Sequence, residues 1–371
     1  MKILFVGNCN HYFNRKLVEE LNKFNDGLVT DFFTIEKPGL DLALPYDNIF
    51  DHSVNRGKLN IFLRQPGFYS LYCYNKWNKD LTDFVKRNDY DFVHLQSLDK
   101  WHLGLSGIKK EIKVIITIWG SDFLRLSEKR LNSFNPLIQK SYKITFATEE
   151  ISSVFEKRFN TRSKHVIARF GLNVFNEIDK LRASADFSNT NKTVLTIGYN
   201  RHPAQQHLKI LNELSKLDKS VIDKITLVIP LTYGPINIDY IYKIKEAVKK
   251  LGIGHKYYDT FLSENQIADL CLNSDIMLQL QTTDAFSGSM QEYMYAGNII
   301  ITGKWLNYST LKEEGIKFYE INEFESLSEL LSNIVLNITL EKEKTRNNYK
   351  NLYEISSWES NIIKWNNLYK E

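Results

Sequence analysis

One stretch between residues 276 and 301 constrains the fold of this chain more than any other. It starts with a short apolar run, Asp275 to Leu280, passes through small polar residues, and continues as a helical pattern that stops at Gly297. A second apolar run, Asn298 to Ile301, follows at once. This order predicts a βαβ unit whose loop lies at the carboxyl end of the first strand. Ligands of open α/β sheets bind at that edge, so the sequence predicts a binding site there.

The loop of this unit has the composition of an anion site. Ser287, Gly288 and Ser289 lie where the helix should begin. The first backbone N–H groups of a helix have no intrahelical acceptor, and the helix dipole favours an anion beside them. Gly288 has no side chain to keep a ligand away from the backbone. The loop therefore predicts a site for a phosphate group.

Two acidic residues bracket the same loop. Asp284 and Glu292 are separated by seven residues, so the first would precede the helix and the second would lie on its first or second turn. Both carboxylates would then face one cleft, one near a sugar and the other near a ribose. An ordinary βα turn with two solvated carboxylates explains the spacing equally.

Length and composition limit the class of protein. A chain of 371 residues is expected to form two domains, and no run of 18 apolar residues predicts a membrane span. Met1 to Gly7 reads as a buried strand and not as a signal peptide. Three scattered cysteines argue against a disulfide framework or a zinc site, which favours the cytoplasm. The net charge of +4 gives no indication of nucleic-acid binding.

Apolar periodicity along the chain alternates between strand and helix patterns and restarts after a polar segment. Such alternation predicts parallel sheets, so the expected fold class is α/β with two Rossmann-like, doubly wound domains facing across a cleft. The predicted strands are residues 2–6, 91–95, 113–118, 143–147, 193–197, 224–229, 275–280 and 299–302, and the clearest predicted helices are 13–24, 207–217 and 238–251. The predicted boundaries are an N-terminal domain at 1–176, a linker at 177–192 and a C-terminal domain at 193–350.

The order of several segments resembles the glycosyltransferases of the GT-B fold, most closely the large retaining family 4. That family has an E-x7-E frame on a helix that ends in Ala-Gly, and Asp284-Ala-Phe-Ser-Gly-Ser-Met-Gln-Glu292 with Tyr295-Ala-Gly297 fits it. The other segments in the family's order are Tyr90 to Ser97, Thr117 to Asp122, Ala147 to Glu149, Ala168 to Leu172 and Ser356 to Glu359. The resemblance implies an acceptor-binding first domain, a nucleotide-sugar-binding second domain, and a C-terminal helix at 351–371 that crosses back to the first.

Two features depart from that family's pattern. The first acid is Asp284, one methylene shorter than the usual Glu, and the usual pair of cations after the first strand of the second domain is reduced to Arg201. Lys209 or His207 would have to supply the second cation. This variant, with Asn200, resembles transferases of 4-acetamido-4,6-dideoxygalactose in enterobacterial surface polysaccharide. That similarity implies a UDP or dTDP amino-deoxy sugar and leaves both retention and inversion open.

The resemblance assigns residues to a donor site. Negative charge accumulates on a nucleotide diphosphate as it leaves, and fixed hydrogen-bond donors stabilise that charge. Arg201 would bind the phosphates, Glu292 the ribose hydroxyls and Asp284 a sugar hydroxyl. The predicted donor-binding residues are Gly198, Asn200, Arg201, His207, Phe261, Leu262, Ser287, Gly288, Ser289, Met290 and Glu292. No Asp-x-Asp motif has a convincing setting, so no metal and no cofactor are predicted.

An acceptor site is predicted in the first domain. Its residues would be Gly7, Asn8, Trp119, Gly120, Ser121 and Asp122. In a retaining enzyme of this fold the leaving phosphate serves as base, whereas in an inverting one Asp122 or a nearby histidine would deprotonate the acceptor. The predicted catalytic residues are therefore Asp284, Glu292, Asp122 and Arg201.

Several of these residues have a plainer interpretation. Arg201 is equally explained as a surface residue, His207 as a helix-start residue that makes local bonds, and Asp122 as a helix cap. His94, at a strand end, is expected to be a hydrogen-bonded core histidine, and Trp365 to be a packing residue.

Residues 56–77 mix bases with aromatic side chains. This mixture suits the interface of an anionic bilayer, and a lipid-linked saccharide acceptor would require docking there. A packed helical hairpin explains the same segment, with Pro66-Gly67 interrupting any single helix.

These observations predict a cytoplasmic glycosyltransferase that uses a nucleotide sugar to build bacterial surface polysaccharide such as O-antigen or capsule. The segment at 56–77 allows a peripheral contact with the inner membrane. A nucleotide-sugar 2-epimerase of the same fold is one alternative, although the Asp284 and Glu292 frame fits it less well. A non-catalytic nucleotide-sugar-binding subunit is the other, and the shortened acid and the missing lysine favour it.

Overall fold

The structure is a computed structural model that describes residues 1–40, 43–59, 65–109, 111–184 and 192–370. The chain divides into two compact units. Unit 1 comprises Met1–Phe170 together with Asn361–Glu371, and unit 2 comprises Gly171–Ser360. Each unit is built around one parallel sheet, as the alternation of strand and helix patterns predicted.

Unit 1 contains a seven-stranded sheet in the order β3-β2-β1-β4-β5-β6-β7. All neighbouring strands in it are parallel. The strands are β1 (Lys2–Gly7), β2 (Val29–Thr34), β3 (Asn48–Asp51), β4 (Phe92–Leu95), β5 (Lys113–Ile118), β6 (Lys143–Phe146) and β7 (His165–Ile167). The α-helices are α1 (Tyr12–Phe24), α2 (Pro66–Arg87), α3 (Ser121–Leu124), α4 (Glu128–Ser133), α5 (Asn135–Lys140) and α6 (Glu149–Phe159).

Unit 2 begins with helix α7 (Val174–Ser184) and contains a six-stranded parallel sheet in the order β10-β9-β8-β11-β12-β13. The strands are β8 (Thr193–Ile197), β9 (Ile225–Pro230), β10 (Gly254–Tyr258), β11 (Ile276–Gln279), β12 (Ile299–Gly303) and β13 (Tyr319–Ile321). The helices that follow α7 are α8 (His207–Leu214), α9 (Lys219–Ile222), α10 (Ile238–Leu251), α11 (Glu264–Leu272), α12 (Gly288–Ala296), α13 (Ser309–Glu313), α14 (Leu327–Leu336), α15 (Ile338–Thr345) and α16 (Asn348–Ser356). The last helix, α17 (Trp358–Leu368), starts in unit 2 and joins unit 1 from Asn361 onward.

The central strands carry continuous apolar runs because parallel sheets are covered on both faces. In unit 2, the side chains of β8, β9, β11 and β12 form one buried core with α8, α10 and α14. In unit 1, His94 is fully buried and its two ring nitrogens contact Tyr369 and Thr117 at 2.6 and 2.7 Å. Burial lowers the pKa of His94 to about 3. The interpretation of His94 as a hydrogen-bonded core residue is confirmed.

The predicted linker at 177–192 differs from the structure. Residues up to Ser184 form α7, whose Val174, Phe175 and Ile178 are buried at helical spacing. Phe175 stacks on Tyr295 with ring centroids 4.0 Å apart. The polar residues that suggested a linker are the solvent-facing side of this helix, and residues 185–191 lie outside the described part of the chain.

In the segment at 56–77, a short 3-10 turn, Arg56–Lys58, precedes helix α2. Pro66 occupies the first turn of α2, where its missing N–H breaks no hydrogen bond, so it starts a 22-residue helix. Residues 60–64 of the segment lie outside the described residues. Among the helices that are described, none combines the length and apolar character needed to cross a bilayer. The three cysteines are free and buried.

Candidate functional site

The strand order of unit 2 reverses between β8 and β11, which places a topological switch point there. The loops that follow these two strands, residues 198–206 and 280–287, leave the carboxyl edge of the sheet side by side. Ligands of doubly wound sheets bind in the crevice at such a point. These two loops are therefore expected to form the binding site of unit 2.

The loop after β8 approaches its neighbours closely at Gly198. This residue has a φ of +62°, and a Cβ there would lie 2.7 Å from Oε1 of Gln205. Tyr199 and Gln205 both donate to Oε1 of Gln281, at 3.2 and 2.9 Å. The amide of Thr282 donates to the carbonyl oxygen of Ala204. These bonds join the two loops at the switch point into one hydrogen-bonded structure.

Asp284 fixes the turn into α12. Its Oδ2 accepts the amide N–H of Ser287 at 2.7 Å and the hydroxyl of Tyr308 at 2.6 Å. Burial raises the pKa of the Asp284 carboxyl, while these hydrogen bonds act in the opposite direction. The carboxylate is therefore neither loose nor fully solvated, in contrast to the ordinary-turn interpretation.

The four backbone N–H groups at the start of α12, from Ser287 to Met290, fall into two pairs. The amide of Ser287 binds Asp284, and the amide of Met290 donates to the Ser287 hydroxyl oxygen at 3.2 Å. These two amides are committed within the loop, which corrects their assignment as open phosphate donors. Within the described residues, the N–H groups of Gly288 and Ser289 have no acceptor. They remain available to an anion.

Glu292 lies one turn further along α12 and is half-buried. Its carboxylate has no hydrogen-bond partner among the described residues. Burial, followed by the nearby charge of Glu264, raises the pKa of Glu292 to about 7. A buried acid without a partner is costly, and such groups cluster at functional sites.

Arg201 and Asn200 are held by the neighbouring loop after β9. The Arg201 guanidinium donates from Nη2 to the carbonyl oxygen of Thr232 at 2.8 Å. Asn200 is buried and its Oδ1 accepts the amide of His202. Partial burial raises the pKa of Tyr233, and so do the nearby charges of Glu292 and Asp284. The carboxyl ends of β8, β9 and β11 thus bring these predicted residues together.

His207 does not fit the predicted role of second cation. It starts α8, is fully buried, and its Nδ1 lies 3.2 Å from the Tyr240 hydroxyl. Burial lowers the pKa of His207 to about 4, so the ring is neutral at physiological pH. His207 begins α8, as the helix-start interpretation states, but its contact is not local, because Tyr240 lies on α10, 33 residues further along the chain.

The pair Phe261 and Leu262 follows β10 and has two opposite environments. Leu262 is buried, whereas Phe261 is 75% exposed and faces the ring of Tyr233 with centroids 6.4 Å apart. Of this pair, Phe261 and not Leu262 therefore has a side chain accessible to a ligand. Its ring lies beside that of Tyr233, a residue that the sequence analysis did not select.

In unit 1, the predicted acceptor residues follow β1 and β5. Gly7 lies against Gln96, where a Cβ would approach the Gln96 Cβ to 3.2 Å. The Asn8 amide is engaged, because it donates to Glu36 and its Oδ1 accepts the amide of Asn10. Trp119 stacks on Phe170 with centroids 4.5 Å apart and an interplanar angle of 11°.

Asp122 stabilises its own loop by accepting hydrogen bonds from backbone N–H groups. Gly120, with a φ of +95°, precedes α3, and Ser121 is exposed. The two carboxylate oxygens of Asp122 accept the amides of Trp119 and Leu98 at 2.9 and 3.0 Å. Burial raises the pKa of Asp122 to about 6. Asp122 lies inside α3 and does not cap it, because the N-cap is Gly120 and no side chain makes a cap hydrogen bond there. A role as catalytic base stays a prediction.

Sequence reasoning missed the residues that hold the donor-side loops in place. They share one signal, since each is an aromatic or amide residue that follows a strand of the unit 2 sheet, and they are Tyr199, Gln205, Tyr233, Gln281, Trp305 and Tyr308. Nothing in a single sequence distinguishes such residues from ordinary loop residues, because their partners come from loops distant in the chain. As to metals, no group of three or more His, Cys, Asp or Glu that could hold an ion occurs in the described ranges.

Comparisons with known proteins agree with this geometry. A family model described as 4-alpha-L-fucosyltransferase, glycosyl transferase group 56, matches residues 82–263, and a glycosyl transferase 4-like model matches residues 2–153. A comparison with curated proteins finds no match. The two models overlap and together span residues 2–263, and both describe glycosyltransferases.

Solved structures share the whole architecture at low sequence identity. HepE from Anabaena, in complex with UDP and glucose, is 14% identical with a TM-score of 0.70, covering 99% of this chain and 97% of its own. Sucrose-phosphate synthase from Thermosynechococcus elongatus is 12% identical with a TM-score of 0.74, covering 100% and 98%. A trehalose-6-phosphate structure from E. coli, bound with UDP-2-fluoro glucose, is 12% identical with a TM-score of 0.72, covering 100% and 99%. The fold is GT-B, and the chain is a glycosyltransferase.

Proposed function

We propose that this glycosyltransferase transfers a sugar from a UDP or dTDP sugar to a lipid-linked or saccharide acceptor during the assembly of bacterial surface polysaccharide, O-antigen or capsule. The observation that carries the nucleotide-sugar part is Glu292, an unpartnered, half-buried carboxylate beside the open N–H groups of Gly288 and Ser289. The UDP and UDP-2-fluoro glucose in HepE and in the E. coli structure support a uridine nucleotide. The acceptor and the pathway come from the sequence resemblance alone.

The proposed chemistry depends on donors aimed at the leaving diphosphate. The N–H groups of Gly288 and Ser289, at the positive end of the α12 dipole, would receive the phosphate charge, and Arg201 would add a guanidinium. Glu292 would accept hydrogen bonds from ribose hydroxyls, and Asp284 from a sugar hydroxyl. This set requires no metal ion and no cofactor, so we propose metal-independent transfer.

We propose retention of configuration, with the leaving phosphate as base. The candidate base for inversion is Asp122, and both of its oxygens already accept backbone N–H groups within unit 1. Each of these oxygens keeps a second lone pair, so the two bonds orient the carboxylate, and the proposal of retention rests on the resemblance to the retaining family.

Calorimetric titration with UDP, dTDP and GDP tests the proposal. We expect one of these nucleotides to bind at micromolar strength and Glu292→Ala to lose about 1–3 kcal/mol, the value of a hydrogen bond to a charged group. Glu246→Ala is the matched control, since it removes another half-buried carboxylate of unit 2, on α10, away from the switch point. If no nucleotide binds, or if Glu292→Ala binds as tightly as the control, the loop is only a βα turn.

A further inference from the structure

Tyr308 connects the loop after β12 to the turn before α12. Its ring is 2% exposed and lies edge-on to Phe318. Its hydroxyl donates a hydrogen bond to Oδ2 of Asp284 at 2.6 Å. The same hydroxyl accepts a long hydrogen bond, of 3.5 Å, from Nε2 of Gln279. A buried phenol that both accepts and donates forms a short polarised chain, from the Gln279 amide to the Asp284 carboxylate.

Several hydrogen-bond donors converge on the carboxylate at the end of this chain. Oδ2 of Asp284 also accepts a hydrogen bond from the Ser287 amide. The Tyr308 hydroxyl and the Ser287 amide, from different loops, therefore bind one oxygen. The other titratable groups close enough to interact with it are the phenols of Tyr199 and Tyr233, on the loops after β8 and β9. Burial raises the pKa of Tyr308 well above its ordinary value, so its hydroxyl stays a donor throughout the working pH range.

An acid that is one methylene shorter than Glu has less reach and fewer rotamers. A side chain of this length depends on its supports for direction, and a misplacement of about 1 Å is enough to weaken catalysis strongly. The Tyr308 hydroxyl and the Ser287 amide are two of the supports that the structure provides, and the Ala285 amide and the Gln281 side chain also favour the ionised carboxylate.

We propose that Tyr308 is a positioning residue: its hydroxyl holds Oδ2 of Asp284 against the start of α12, so that the carboxylate stays ionised and oriented toward a hydroxyl of the donor sugar. This inference rests on the proposed function of Asp284 and adds the residue through which that function is maintained. Tyr308 itself touches neither sugar nor phosphate in this scheme. Its removal should therefore affect the rate of turnover and its pH dependence more than the binding of the nucleotide.

Tyr308→Phe deletes one oxygen atom and tests the proposal. We expect kcat to fall about tenfold, as for the loss of one hydrogen bond to a charged group, while KM and the nucleotide Kd stay within about twofold. The acid limb of the kcat profile should move to higher pH, because the buried carboxyl loses a donor that favours its ionised form. Tyr319→Phe is the matched control, since it deletes a phenol that donates to the Glu341 carboxylate in the same unit.

A second measurement does not depend on turnover. The titration of the Asp284 carboxyl, followed by carbon-13 NMR with Asp284→Asn to assign the signal, should show a higher pKa in Tyr308→Phe than in wild type or Tyr319→Phe. An unchanged carboxyl pKa, or wild-type kcat with only a lower melting temperature, would overturn the proposal. Loss of nucleotide binding in Tyr308→Phe would also overturn it. If wild type binds no nucleotide, the proposed function fails, and the carboxyl titration still decides whether Tyr308 holds Asp284.

Discussion

The two acids of the D-x7-E frame have different surroundings although only seven residues separate them. Asp284 receives two hydrogen bonds at Oδ2, whereas Glu292 has no partner among the described residues. Burial raises the pKa of both carboxyls, and for Glu292 it reaches about 7. The sequence spacing identified the pair, but only the fold separates a supported acid from one that is left open to a ligand.

Glu292 has no hydrogen-bond partner among the described residues, so we expect its replacement to raise the free energy of unfolding. The pKa of Glu292 is about 7 in the folded chain against an ordinary value of 4.5, so protonation favours folding, and this contribution is lost as pH rises through 7. Glu292→Gln cannot ionise. We expect its unfolding free energy to exceed that of wild type by about 2 kcal/mol at pH 8, with the difference shrinking toward pH 5. Denaturant unfolding at both pH values measures this, and an equal difference at both would contradict the pKa.

At the scale of elements, the chain enters and leaves unit 2 at one place. Gly171 lies against the first turn of α17, where a Cβ would be 2.5 Å from the backbone nitrogen of Trp358. The amide of Leu172 donates to the carbonyl oxygen of Ser356 at 2.9 Å. Since backbone cannot move aside as a flexible side chain can, this crossing requires glycine.

Gly171→Ala should therefore destabilise the protein by about 2–3 kcal/mol, the upper range for forcing extra volume into a packed site. Gly107→Ala is the control, because a Cβ at Gly107 meets no atom within 4 Å. Thermal unfolding of both variants checks the expectation. Equal melting temperatures would mean that the two crossing segments separate at little cost.

The sequence predicted those strands whose apolar runs are uninterrupted, and β5 and β8 have the predicted bounds. It missed β2, where Asp31 breaks the apolar pattern although it is buried and bound by the Tyr90 hydroxyl. It also missed β10, an edge strand with exposed residues such as Lys256. For β2 the compensating group, Tyr90, lies 59 residues away in the chain. The supports of Asp284 escaped prediction for the same reason.

At the scale of the whole molecule, α2 presents apolar side chains to solvent. Phe68 and Leu71 are 48% and 60% exposed near its first turns. Lys76 pairs with Asp80 on the next turn, which leaves less free positive charge than the sequence suggested. We propose that this end of α2 makes the peripheral membrane contact, chiefly through apolar burial.

Vesicle co-sedimentation tests this contact. We expect the double variant Phe68→Ser with Leu71→Ser to lose most binding to vesicles, with little difference between neutral and anionic lipid because Lys76 is paired with Asp80. Leu336→Ser with Leu340→Ser is the control, since these side chains are similarly exposed in unit 2. If both double variants bind as wild type does, α2 is not the docking element.

The position of α17 has a consequence for synthesis on the ribosome. Trp365 is fully buried in unit 1 and donates to the carbonyl oxygen of Arg169, 196 residues earlier. At about 5–20 residues per second, roughly 10–40 seconds pass before the nascent chain supplies this tryptophan. During that interval all of unit 2 emerges while the first sheet remains uncovered at Phe170 and His94, against which Trp365 later packs. Unit 1, which is synthesised first, is thus completed only when α17 is made. A chaperone could bind its uncovered surface during that interval.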